Sequence, residues 1–86
     1  MKISKEFVIR EIAGDYIIVP TGNTALQFNG LITVNEVGAF LWKFLQQETT
    51  EEALVQSVVS EYEVEEETAR QDIEEFLQQL KDNHII

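Results

Sequence analysis

Eighty-six residues make one small domain, which buries only about 60% of the surface of its unfolded chain and has little core to spare for an enclosed active site. An apolar fraction of 44% argues against disorder, and the absence of cysteine removes both a disulfide framework and a thiolate metal site. The net charge of −10 lies wholly in residues 44–86, where twelve acids face only Arg70 and Lys81, so the surface repels phosphate backbones and anionic lipid and favours basic or neutral partners.

The N-terminal third reads as strands. Phe7–Ile12 is rich in β-branched residues, Gly14-Asp15 supplies a turn, and Tyr16–Pro20 gives a second strand that Pro20 ends by removing a backbone donor. Leu26 and Phe28 alternate with Gln27, which leaves open an extra short strand over residues 24–28. Asn29-Gly30 is a strong hairpin signal, and Leu31–Val34 follows as the last strand.

After Asn35 the apolar period changes from two to 3.6. Asn35 is a good N-cap with Glu36 in the first turn, and Val37, Phe40, Leu41, Phe44 and Leu45 form one face, with Trp42 beside it. Gly38 inside this helix costs about 1 kcal/mol relative to Ala, which the close approach of another backbone would explain. Thr49 with Glu52 makes a capping box for a second helix, and Thr50 is an equal candidate for the cap. The second helix's face is Leu54, Val55, Val58, Val59 and Tyr62. A third helix from about Glu65 to Asp82 carries Ala69, Ile73, Phe76, Leu77 and Leu80, and the tail His84-Ile85-Ile86 is apolar enough to pack back. At this length the helices must cover one face of the sheet. The expected class is α+β: a winged-helix-like single domain over 1–86, with a three-stranded antiparallel N-terminal sheet followed by three helices.

Catalytic chemistry needs a nucleophile, a base and a stabiliser within reach of one another, and the chain supplies none of these constellations. Its one histidine, His84, sits in the tail, without a partner at metal-pair spacing. The acidic run from Glu61 to Glu67 lacks the glycine and alternating ligands of a calcium loop, and Asn29-Gly30-Leu31 is too poor in glycine to cradle phosphate. No catalytic residue, metal or cofactor is expected. Duplex DNA is excluded on charge: a recognition helix with seven acids against Arg70 and Lys81 would bring carboxylates toward phosphates. The segment Met1–Glu6 lacks the apolar run of a signal peptide, and nothing approaches the ~20 apolar residues of a membrane span, so a soluble cytoplasmic protein is expected.

A binding surface remains. The edge of a small open sheet is a template for another strand, and the last strand is short, apolar and followed at once by a helix. Backbone groups there would hold a peptide while positions on the third helix select its side chains. Ala69, Phe76 and Leu80 read as core, whereas Arg70, Ile73 and Leu77 are evenly balanced between core and groove.

The segment Leu31-Ile32-Thr33-Val34-Asn35-Glu36-Val37-Gly38-Ala39-Phe40-Leu41-Trp42 resembles the strand-to-helix signature of PqqD-like proteins, Leu-Asn-Glu-Thr-Gly-Ala-Phe-Ile-Trp. Thr50–Val55 with Tyr62 resembles their second helix, and Asp72–Leu80 their third, with its Asp-Val-x-x-Phe-Leu-x-x-Leu pattern. The resemblance runs from Phe7 to Ile86. It implies a recognition element for ribosomally made, post-translationally modified peptides, in which the leader of a precursor adds to the last strand against the third helix. It further implies delivery to a modification enzyme, often a radical S-adenosylmethionine enzyme, or a leader peptidase. Carried over, the peptide-binding residues are Leu31, Ile32, Thr33, Val34, Arg70, Ile73 and Leu77. The chain departs from the family in the longer connection Thr21–Asn29, which is placed to cover or extend the sheet edge, and in Val34 and Val37, where Leu and Thr are usual. The alternative from another class is a regulatory or protein-interaction module that keeps the winged-helix shape without a peptide substrate.

Overall fold

In the computed structural model, which describes residues 1–3, 7–22 and 32–86, the chain runs β1 (Phe7–Ile12), β2 (Asp15–Pro20), β3 (Ile32–Val34), α1 (Glu36–Phe44), α2 (Glu51–Tyr62) and α3 (Glu66–Asp82). The sheet is antiparallel with β2 in the centre. A two-residue turn at Ala13-Gly14 joins β1 to β2, and both residues have positive φ (52° and 87°), the geometry whose twist matches that of the flanking strands. Register puts Ile9, Ile18 and Ile32 in one row across the sheet and Tyr16 opposite Val34 in the next. Residues directly opposite share a face, so these rows form the side turned to the helices, and the intervening Thr33 is exposed. Of the expected strand Leu31–Val34, Ile32–Val34 is described and forms β3; Leu31, the Asn29-Gly30 turn and the optional strand over 24–28 lie outside the described residues.

Asn35 ends β3 and starts α1: its Oδ1 accepts the Gly38 backbone N–H at 2.8 Å. A single residue thus converts the extended chain into helix, which fixes α1 against the strand it follows. The buried side of α1 is Gly38, Leu41 and Trp42, continued by Leu45. The face expected from the apolar residues alone is rotated, because Gly38 lets the helix approach Val34 and Phe76 closely and leaves Phe40 half-buried and Phe44 40% exposed. What approaches Gly38 is two side chains, not the backbone expected from the sequence.

Thr50, not Thr49, caps α2, accepting from the Ala53 N–H at 3.2 Å. Leu54, Val55 and Val58 are fully buried, and α2 ends at Glu63 in the left-handed conformation. No side-chain hydrogen bond caps α3 at Glu65; Glu66 and Glu67 in its first turn offset the helix dipole instead. At its far end His84 is left-handed, with its N–H bonded to Lys81 O and that of Ile85 to Leu80 O at 2.8 Å. This paired termination folds the tail back and places Ile85 in the core, as its apolar character suggested. The single core cluster joins Phe7, Ile18, Ile32 and Val34 of the sheet to Leu41 and Trp42 of α1, Leu54, Val55 and Val58 of α2, and Ile73, Leu77 and Leu80 of α3. No described helix is long and apolar enough to cross a membrane.

Candidate functional site

The short strand β3 is the outer strand on one side of the sheet, and among the described residues it pairs only with β2. Its other side faces a groove of about 260 Å³ that runs between β3, the start of α1 and one side of α3. Thr33, Val34 and Asn35 form the strand side; Val37, Gly38 and Leu41 come from α1; Asp72, Glu75, Phe76 and Gln79 come from α3. The floor is apolar (Val34, Leu41 and Phe76), and the helical rim is polar. Gly38 holds the floor together, since a Cβ there would stand 3.1 Å from both Phe76 Cε1 and Val34 Cβ.

The expected peptide-binding residues fall into three groups. Thr33 and Val34 line the groove, and Ile32 is buried beneath it. Leu31 lies outside the described residues, as does most of the Thr21–Asn29 connection. Arg70, Ile73 and Leu77 are not among the lining residues. Ile73 is 0% exposed and Leu77 3%, both in the core cluster. Arg70 turns to α2, where its Nη2 donates to Glu52 at 2.7 Å and to Glu66 at 3.2 Å, with Glu51 at 3.5 Å from its Nη1. The Glu52 bond raises the guanidinium pKa above its ordinary value, and the same bond, with help from Gln56, holds the Glu52 carboxyl below the usual range. Arg70 is therefore a clamp between two helices.

The wall residues of α3 are Asp72, Glu75, Phe76 and Gln79, spaced i, i+3, i+4, i+7 on one stripe. At about 100° per residue, this stripe is centred roughly a third of a turn from that of Ile73 and Leu77. Phe76, read from the sequence as core, is both: it belongs to the core cluster at 9% exposure and it forms part of the groove floor. The signal was in the spacing, since two acids and an amide share a face with an aromatic residue.

A second apolar exposure lies on the α1–α2 side. Phe40 stacks edge-on against Phe44 at 5.1 Å and against Tyr62 at 5.3 Å between ring centroids. Desolvation, then the nearby Glu36 and Glu61, raise the Tyr62 phenol above its ordinary pKa. No cluster of three or more His, Cys, Asp or Glu suited to a metal ion occurs among the described residues.

Residues 15–86 match the family described as coenzyme PQQ synthesis protein D, PqqD. The chain is similar to the solved structure of TbiB1 in complex with the TbiA(beta) leader peptide, with 25% identity and a TM-score of 0.75, over 99% of this chain and 93% of that one. It also shares its fold with lasso peptide synthetase B1 complexed with the leader peptide, at 22% identity and a TM-score of 0.71, over 95% of this chain and 91% of that one. No curated protein matches the chain.

Proposed function

The chain belongs to the PqqD family, and on that premise we propose that it is a peptide-binding accessory protein that captures the leader of a ribosomally synthesised precursor and presents the precursor to a modification enzyme. The observation that carries the reading is the juxtaposition of an outer strand, β3, with an apolar-floored groove closed by α3. An extended peptide laid along β3 would satisfy its backbone groups there and seat alternate side chains against Phe76, Val34 and Leu41. The likeness to TbiB1, whose structure contains a leader peptide, supports the same use of the fold. Thr33 and Val34 would contact the peptide directly, Asp72, Glu75, Phe76 and Gln79 would face its side chains, and Ile32, Ile73 and Leu77 would support the groove from beneath. A radical S-adenosylmethionine enzyme or a leader peptidase would receive the bound precursor.

Calorimetric titration of the purified chain with the leader of a precursor peptide encoded beside it is the direct test, together with amide chemical-shift mapping. Saturable binding with shifts in residues 32–34 and 72–79 is the expected result. Shifts confined to α2, or no binding, would overturn the assignment. A partner-protein module without a peptide substrate is favoured by one observation, the partly exposed Phe40, Phe44 and Tyr62 group; shifts confined to those residues on adding a partner enzyme, with the leader inert, would support it.

A further inference from the structure

Two carboxylates stand on the helical wall of the groove without a countercharge. Asp72 and Glu75 are exposed, line the cavity opposite β3, and have no ion-pair partner among the described residues. The nearest base in sequence, Arg70, is engaged by Glu51, Glu52 and Glu66 on the side facing α2. Like charges three residues apart on a helix repel, so the pair is unfavourable to the free helix. One turn from Asp72 and next to Glu75, Phe76 offers the apolar floor, with Val34 and Leu41 beside it. The groove therefore presents one apolar seat and one negative seat side by side.

We propose that Asp72 and Glu75 are specificity residues that select a leader peptide bearing a Lys or Arg two positions from its apolar anchor. This rests on the peptide-capture reading and adds the chemistry of the captured segment. The spacing follows from two repeats. Asp72 and Phe76 are one helical turn apart, about 6 Å along the axis. Residues i and i+2 of an extended strand point to one side and are separated by about 6.6 Å. A peptide that runs parallel to α3 as it lies along β3 would thus place an aliphatic or aromatic side chain over Phe76 and, two residues on, a cationic one beside Asp72, with Glu75 between them. Gln79, on the other side of Phe76, is uncharged and offers an amide to either a donor or an acceptor. The cation resolves the repulsion on the wall, and a leader with an acid at that position meets two carboxylates instead.

The test uses a phage-displayed library of random 16-residue peptides selected on the purified full chain, on the isosteric D72N/E75Q variant and on the reversed D72K/E75K variant. Both variants change only the exposed positions 72 and 75, and circular dichroism checks that the fold is kept. Expected on the unmodified chain are binders enriched in a Lys or Arg two residues from a large apolar residue, mapped by amide shifts to residues 32–34 and 72–79. A synthetic copy of the leading binder should lose about tenfold in affinity on D72N/E75Q, roughly the combined worth of two exposed charge pairs. Its affinity for the unmodified chain should weaken as salt is raised, and D72K/E75K should select acids at the same peptide position. Binders that map to the groove with no basic enrichment and equal affinity for D72N/E75Q would overturn the proposed specificity while leaving peptide capture intact. Binders that map only outside the groove would overturn both.

Discussion

Replacing Gly38 by alanine sets two effects of similar size against each other. In an open helix the change is worth about 1 kcal/mol in favour of the folded state. Here the new methyl would stand 3.1 Å from Phe76 Cε1, 3.1 Å from Val34 Cβ and 3.4 Å from Phe76 Cδ1, so its neighbours must give by a few tenths of an ångström. Overpacking of that kind typically costs about 1–3 kcal/mol. Val34 is held by the backbone of a strand whose register against Tyr16 is fixed, whereas the Phe76 ring borders an open groove and can yield into it. The propensity gain is therefore offset, giving a net destabilisation of about 0–2 kcal/mol, toward the lower end because the ring can yield, and the displaced ring narrows the groove floor. Gly38→Leu cannot be accommodated in this way and should cost more than about 2 kcal/mol. Urea denaturation with an unchanged slope reads the first quantity, and the affinity for a groove-binding peptide reads the second. G38A should weaken that affinity out of proportion to its small effect on stability. A gain of a full 1 kcal/mol with unaltered peptide affinity would refute the close approach of α1 to β3 and α3.

Asn35→Ala should lower stability by about 0.5–2 kcal/mol in urea melts, since the Gly38 N–H loses its cap, and an unchanged midpoint would remove Asn35 from that role. Leu77→Ala should cost about 2–5 kcal/mol as a core truncation, and a small cost accompanied by lost peptide binding would instead put Leu77 on the groove wall. The clamp of Glu52 on Arg70 is linked to pH. Because the folded carboxyl sits below its ordinary pKa, its stabilising effect is present above the unfolded value and fades as the pH falls through the lowered one. Thermal melts of the unmodified chain and Arg70→Met should therefore converge in acid and diverge near neutrality, a shift that exposure and salt keep small. Anisotropy titration with duplex DNA at low salt should show no binding tighter than about 1 μM, given the exposed acids along α3.

The order of elements was legible because each boundary carries a local device: Gly14 in the first turn, the Asn35 cap and the apolar Ile85 after the last turn of α3. The turn itself is Ala13-Gly14, one residue earlier than the expected Gly14-Asp15, and Asp15 opens β2. The strand edge was legible too, as a short apolar run leading directly into a helix. The helical wall was not. Periodicity identifies an apolar stripe but does not divide it between core and groove: Ile73 lies inside the stripe, Leu77 at its far margin, and only the opposite margin, at Phe76, meets the groove. Asp72 and Glu75 look like ordinary solvated acids until α1 and β3 are set opposite them. Likewise the rotation of α1, with Phe44 turned outward, follows from room at Gly38 that only the packed neighbours define. Arg70 was equally hidden, since its partners Glu51 and Glu52 lie on another helix.

The described residues of β3, Ile32–Val34, also bear on how long a guest would stay. These three residues offer about three backbone hydrogen bonds to an added peptide, each worth about 0.5–1.5 kcal/mol net. Such a seam alone holds a peptide weakly, and contacts with the helical wall must raise the affinity toward the micromolar range. At a dissociation constant of about 1 μM and an association rate of about 10⁶ M⁻¹s⁻¹, the complex would live for about one second. A seam of this strength favours turnover over retention: one copy of the chain could load, hand over and reload many times during the maturation of a pool of precursors.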